Sequence, residues 1–297
     1  KMIFLQLASY RDKELNSTIQ SALSKAKYPN NINFGIVEQC ASNDPLPNLP
    51  SKCEYVRTIK DSCKGVGWAR NKANSLYNGE EYYLQVDSHS QFVDNWDEIL
   101  INQLESLSCA KPVLTGYPSM YWYENNEVKF GQFAPNRMIA TGWHPNNLLI
   151  LEPRGLIDPN KSCNAFALAG GFIFAHGAFA FDVPYDSDIC FLGEETVLAV
   201  HAFTRGYNLI HPTNIPLYHH YTREDAPKAW TDFPEQWNNR VNVSTNKVHN
   251  VLSGQVNNYF GNIRSLDDYQ RYAGIDFNNH TILTNTKTGV REPTLNN

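Results

Sequence analysis

The 297-residue sequence contains no apolar run approaching the ~20 residues needed to cross a bilayer as a helix. It has no excess of positive charge: 25 Lys and Arg against 30 Asp and Glu leave a net charge of −5. A broad basic footprint is therefore missing, which argues against nonspecific nucleic-acid binding. The six cysteines, Cys40, Cys53, Cys63, Cys109, Cys163 and Cys190, never fall into Cys-x-x-Cys spacing. That excludes a zinc ribbon, and the chain is too long for a small disulfide scaffold. Free thiols in a reducing, cytoplasmic compartment are expected. The sequence enters its first strand almost at once, so no secretory leader is visible in it; no internal repeat recurs, and neither a Walker loop nor a complete dinucleotide fingerprint occurs.

What is present is globular, with 42% hydrophobic and 12% aromatic residues, enough to bury the core of a large domain. Residues 2–8 read as a buried strand that Ser9-Tyr10-Arg11-Asp12 interrupts. Leu15, Ile19, Ala22, Leu23 and Ala26 then recur at helical spacing, and 32–37 reads as a second strand. Strand, polar loop, helix and strand form a βαβ unit, the start of a nucleotide-binding type of α/β sheet. Further strands are expected at 55–59, 82–86, 167–175 and 207–210, with short β segments at 112–117, 121–123 and 147–151. Helices are expected at 68–77, 95–107 and 194–204. Beyond 223 the chain turns polar and Asn-rich, with one late helical patch at 266–272, and 278–297 reads as a tail.

The stretch Glu81-Tyr82-Tyr83-Leu84-Gln85-Val86-Asp87-Ser88-His89 organises the rest. A short apolar strand ends in Asp-x-His, where open α/β sheets bind ligands, just beyond their carboxyl ends. Residues two apart on an extended segment face the same way, so Asp87 and His89 can reach one divalent cation that holds a nucleotide diphosphate. The plain alternative is a helix cap beside an ordinary loop histidine. His219 in Leu217-Tyr218-His219-His220-Tyr221 is the expected third ligand, with His220 in reserve. A mixed carboxylate and imidazole set suits manganese better than calcium, with zinc and magnesium as alternatives.

Three further groups lie at element ends. In the first, Arg11 could meet a phosphate and Tyr10 could stack on a base, while Asp12 could simply cap the helix. In Gly65-Val66-Gly67-Trp68-Ala69-Arg70-Asn71, glycines before a helix N-terminus favour anions, and Arg70 is either a phosphate contact or a surface ion pair. Glu194 and Glu195 open a helix, where carboxylates suit its dipole; one of them could instead bind a sugar or acceptor hydroxyl.

Taken in order, these segments, together with Asn95-Trp96-Asp97, Gly170-Gly171 and Ala273-Gly274-Ile275-Asp276-Phe277, resemble a GlcNAc-transferase family. That family includes the prolyl-hydroxyl (hydroxyproline) N-acetylglucosaminyltransferase. Asp87-Ser88-His89 is also similar to the metal motif of polypeptide GalNAc-transferases. The resemblance implies a GT-A glycosyltransferase fold, with 1–277 as one catalytic domain. Residues 1–110 would mainly bind nucleotide sugar, 111–222 mainly acceptor, and 223–277 would form an appendage. It implies a UDP-sugar donor, a hydroxyl acceptor on a protein or glycan, retention of configuration, and a divalent cation, expected to be Mn2+ with Mg2+ as the alternative. The cation falls to Asp87, His89 and His219. The donor falls to Ser9, Tyr10, Arg11, Gly65, Arg70, Asp87, Ser88, Gly170 and Gly171, and the catalytic roles to Glu194 and Glu195. A metallophosphoesterase and a noncatalytic sugar- or nucleotide-binding module are the competing readings. The first lacks its later Gly-Asp and Gly-Asn-His motifs.

Overall fold

The structure, a computed structural model, describes residues 1–59 and 63–295. The N-terminal third builds β1 (Ile3–Tyr10), α1 (Leu15–Lys25), β2 (Ile32–Cys40), β3 (Cys53–Ile59), α2 (Val66–Asn74), β4 (Tyr82–Asp87), β5 (Ser90–Phe92) and α3 (Trp96–Glu105). The middle third adds β6 (Pro112–Thr115), β7 (Ser119–Glu124), β8 (Glu127–Phe130), β9 (Asn136–Trp143), β10 (Leu149–Gly155), β11 (Cys163–Asn164), β12 (Phe172–His176) and α4 (Phe179–Asp182). The remainder holds α5 (Glu194–Thr204), β13 (Asn208–His211), β14 (Leu217–His219), α6 (Ala229–Asp232), α7 (Pro234–Leu252), α8 (Leu266–Ala273), β15 (Ile275–Asp276), β16 (Thr281–Ile282) and α9 (Thr284–Thr288).

An eight-stranded sheet runs in the order β11-β13-β6-β12-β4-β1-β2-β3. β3, β2, β1 and β4 pair in parallel, and β12 enters antiparallel beside β4. Strands from 1–110 and from 111–222 thus share one sheet. Alternation sorts its two faces. Ile3, Leu5 and Leu7 of β1 and Tyr82, Leu84 and Val86 of β4 pack against Leu15, Ile19, Trp96 and Leu100 of α1 and α3. Each such side chain, fully buried, contributes about 1.5–3 kcal/mol. The other face carries Phe4 and Tyr83, in one apolar cluster with Val197 and Leu198 of α5.

Past Asp87 the chain reverses into β5, which pairs antiparallel with β14 and sets Ser90 opposite His219. β14 also pairs with β7, giving a second sheet in the order β5-β14-β7-β8. This small sheet brings residue 219 back to the end of β4.

The helix expected at 194–204 forms over that span as α5. The strand expected at 167–175 begins only at Phe172, and Gly170-Gly171 lie in the turn before it. The largest difference is the 19-residue α7, in the stretch read as polar and Asn-rich. Trp237, Ser244, Val248, Val251 and Leu252 are buried along it at helical spacing, and that burial overrides the poor propensity of its asparagines. The expected tail is also ordered up to residue 295. Ile282 of β16 packs into the main core, the backbone N–H of Asn164 donates to Glu292 at 2.7 Å, and the Asn164 side chain donates to the Pro293 carbonyl. Residues 296–297 of that tail lie outside the described residues.

All six cysteines, each among the described residues, are free thiols. No helix among the described residues is long and apolar enough to cross a membrane.

Candidate metal centre

Asp87, His89 and His219 each offer a ligand atom, and these atoms lie within 4.8 Å of one another. His219 Nε2 is 2.8 Å and His89 Nε2 3.9 Å from Asp87 Oδ2. His89 Nδ1 lies 2.7 Å from Asp12 Oδ2. A carboxylate oxygen only accepts, so Nδ1 carries the proton and Nε2 presents its lone pair toward Asp87. A cation between Asp87 Oδ2 and His219 Nε2 would take the place of the proton they share. Burial holds the His219 imidazole below its ordinary value against the pull of Asp87, which keeps it neutral and ligand-ready at pH 7.

His220 points elsewhere. Its ring lies 5.0 Å from that of Tyr121, and its backbone N–H donates to the His89 carbonyl. Its part in the site is to fix the strand pairing that delivers its neighbour.

Asp12 is the functional residue that sequence reasoning passed over as a helix cap. Its Oδ1 does accept from the Glu14 backbone, as a cap would. Its Oδ2 meanwhile orients the site, accepting from His89, from Ser88 Oγ at 2.6 Å and from Arg223 Nη1 at 3.1 Å. Asp-x-His, three strands later in the chain, gives no sign of this partner; only the parallel register of β1 and β4 reveals it.

Several residues expected at the donor site are engaged with other protein groups. Arg70 is not open to a phosphate: it is 3% exposed and donates to Asp87 Oδ1 at 2.5 Å and to Gln6 Oε1 at 2.7 Å. At the N-terminus of α2, which Gly65 caps, the Val66 N–H is already taken, donating to the Cys190 carbonyl. With φ at +91°, Gly65 is needed for the turn itself, and a Cβ there would meet Cys190 Cα at 2.6 Å. Arg11 spends its guanidinium on Asp44 and Asp232, and the Tyr10 hydroxyl donates to Asp232 at 2.6 Å. These two residues line, with Gln39, Thr58 and Phe233, a cavity of about 30 Å³ at the carboxyl ends of β1–β3. Ser9 Oγ is buried nearby with no hydrogen-bond partner among the described residues.

Gly170, Gly171, Glu194 and Glu195 do come together with the triad. Gly170 N–H donates to Glu195 Oε1 at 2.5 Å. A Cβ on Gly171 would sit 3.3 Å from Asp87 Oδ2 and 3.7 Å from His219, so glycine lets the chain pass against the centre. Glu194 Oε2 is buried with no partner among the described residues. Burial, reinforced by repulsion from Glu195, pushes the Glu194 carboxyl well above the usual range. A raised acid favours folding when protonated, so stability is lost as pH climbs through its folded pKa. Glu194→Gln, which mimics the protonated form, is expected to raise Tm by about 2–4 °C at pH 8 and to leave it unchanged at pH 4, as read by thermal melts at both pH values.

On the other side of Asp12 a cavity of about 600 Å³ opens, lined by Trp122, Tyr123, His220 and Arg223 among others. The site thus has a charged, ligand-bearing centre at a strand end, with glycine turns and carboxylates on one flank and an aromatic groove on the other.

Across 91% of its length the chain is similar to GalNAc-T7 solved with UDP, GalNAc and Mn2+, at 14% identity and a TM-score of 0.57, covering 54% of that chain. It is similar to S. aureus TarS over 91% of its length, at 13% identity and a TM-score of 0.51, covering 42% of that chain. It therefore spans about half, or less, of each of these two structures. Those likenesses show the fold, the mixed α/β GT-A glycosyltransferase architecture expected from the motifs. No curated protein matches the chain. The family described as Glycosyltransferase (GlcNAc) matches over residues 2–59 and 51–279, which takes in the central sheet, the Asp-His-His centre and the Glu194-Glu195 helix. The chain belongs to the Glycosyltransferase (GlcNAc) family.

Proposed function

We propose that this protein is a metal-dependent glycosyltransferase that moves a sugar, expected to be GlcNAc, from a UDP-sugar to a hydroxyl acceptor on a protein or glycan, with retention of configuration. The observation that carries this reading is the convergence of Asp87, His89 and His219 at the end of β4, in a chain of a GlcNAc glycosyltransferase family. The donor set fits a divalent cation, since one carboxylate and two imidazoles converge and Asp12 fixes the tautomer of His89. Manganese is the expected ion, in keeping with the Mn2+ in the GalNAc-T7 structure. Bound there, it would supply charge neutralisation on the departing diphosphate, as Lewis acid and template.

The protein's own groups do the remaining work. Arg223 lines the groove beside the triad and is held by one carboxylate, Asp12, whereas Arg11 is held by two and Arg70 is buried, so Arg223 is the guanidinium placed to meet a phosphate. Glu195, anchored by the Gly170 peptide, and Glu194 beside it are placed to bind hydroxyls of the transferred sugar or the acceptor. The acceptor hydroxyl attacks the anomeric carbon on the face the diphosphate leaves. A β-phosphate oxygen can then take the acceptor proton, and no protein nucleophile is required. The groove around Trp122 and Tyr123 is the proposed acceptor approach, because aromatic faces bind apolar ring surfaces while leaving hydroxyls free.

The test is a screen of UDP-GlcNAc, UDP-GalNAc, UDP-Glc and UDP-Gal with Mn2+, read by thermal shift and by UDP release. One donor that both stabilises and turns over supports the reading. Stabilisation without turnover, with and without acceptor extracts, would point instead to a noncatalytic binding module. The third ligand is tested separately: His219→Ala is expected to weaken Mn2+ binding by about 10–100-fold, whereas His220→Ala should change it by less than about threefold. The reverse order would move the ligand to His220.

A further inference from the structure

The buried face of the central sheet carries a stripe of polar side chains that the chemistry above does not use. Gln6 on β1 and Gln85 on β4 lie side by side in register and are both 0% exposed. Tyr83, Gln85 and Asp87 alternate onto that face, so the stripe climbs the strand to the metal carboxylate. Above it α2 presents Arg70 and Asn74, one turn apart.

Each member makes at least one hydrogen bond, and Asn74 Nδ2 alone among their amide nitrogens has no partner among the described residues. Gln6 Oε1 accepts from Arg70 Nη1 at 2.7 Å, and Gln6 Nε2 donates to Asn74 Oδ1 at 2.8 Å. The Tyr83 hydroxyl lies 3.0 Å from Asn74 Oδ1 and 2.8 Å from Gln85 Oε1. Gln85 Nε2 in turn donates to the Gly170 carbonyl at 2.8 Å, the residue whose N–H holds Glu195. The Tyr83 hydroxyl has one proton for two acceptors and donates to one of them at a time, so what runs beneath the sheet from Asp87 to the Gly170 peptide is a contiguous polar stripe, bonded in pairs.

Placing two glutamines in the apolar centre of the sheet is costly unless their amides are satisfied, and apolar residues of the same size would pack as well. Their value lies in direction. The Arg70 guanidinium is planar and could present either edge to Asp87; an acceptor fixed at Nη1 leaves Nη2 as the group that faces the carboxylate. With Oδ1 taken by Nη2, Oδ2 is the oxygen turned to His219 and His89.

We infer that Gln6 is a positioning residue for the metal centre: its amide fixes Arg70, and Arg70 fixes which oxygen of Asp87 faces the cation. This rests on the metal reading proposed above, so the experiment separates the two. Mn2+ binding to the full chain is measured from the free-ion EPR signal for the parent, Gln6→Met and Gln6→Glu. Methionine keeps the length and removes both polar ends, and it should raise the Mn2+ Kd about tenfold or more. Glutamate keeps an oxygen for Arg70 and should bind within about threefold of the parent. If Gln6→Met does not fold, Gln6→Ser is read instead; it admits water but no fixed acceptor, and the same weakening is expected. A loss of thermal stability with unchanged Mn2+ affinity means Gln6 is merely structural, as does an equal weakening in the glutamate variant; either overturns the inference and leaves the metal centre standing. A parent chain that takes up no Mn2+ overturns both.

Discussion

Asp87→Asn is expected to cut metal-dependent sugar transfer by about a thousandfold in kcat/KM, close to 4 kcal/mol of transition-state stabilisation. Asparagine matches the shape but removes the charge that faces the two imidazoles, and its amide competes for the same space. The cost extends to folding. Arg70 is buried, and Asp87 is its carboxylate partner at 2.5 Å. An uncompensated guanidinium there should lower stability by about 3 kcal/mol, measured by urea denaturation. The pH dependence of that loss is also set. Burial works against the ionised form of Asp87, but the His219 hydrogen bond and the Arg70 cation outweigh it and hold the carboxyl below the usual range. A depressed acid stabilises the fold above its unfolded pKa, so the difference between parent and variant should be complete above about pH 5 and shrink as the solution becomes more acidic. Parental transfer rates in Asp87→Asn would remove the cation from the mechanism.

Gly67→Ala carries the second large effect. In an unconstrained helix alanine is the better residue by about 1 kcal/mol. Here a Cβ would lie 2.1 Å from the Ile189 carbonyl oxygen and 2.7 Å from that of Asp186, and both are backbone atoms. Either α2 or the loop before α5 must move. A net destabilisation of about 2–3 kcal/mol is expected by urea denaturation. Because α2 also carries Arg70, the displacement should reach Asp87 and weaken Mn2+ uptake in the protein that remains folded. An alanine variant as stable as the parent would show that the 186–189 loop yields freely.

How much of this was legible in the sequence varied with the kind of interaction. Period-two alternation over 82–86 placed Asp87 and His89 on one side of a strand end, and the structure keeps them there. The helix at 194–204 was announced by its apolar density and closing glycine. The burial of Arg70 is not legible because its helix reads as weakly amphipathic, and nothing in a linear chain says that the partner across from it is Gln6, 64 positions away. The partners of Arg11 are hidden for a similar reason: its two carboxylates come from a proline-rich loop and from α6. α7 was missed because asparagine-rich composition masked an apolar spacing that only tertiary burial makes decisive. The two central glutamines were visible throughout, as polar interruptions in otherwise apolar strands, and their matched positions were a signal that went unused.

The ligands Asp87 and His219 are 132 residues apart, joined by way of β5 and β14. A chain still short of β14 holds one imidazole and one carboxylate ligand with nothing to complete them, so tight cation uptake marks the end of folding rather than its beginning. Mn2+ would then act as a late lock: it would do little for the speed at which the sheet assembles and much to slow its opening, since only the finished topology binds it. Manganese added to the refolded protein should lengthen the unfolding half-life while leaving the refolding rate nearly constant.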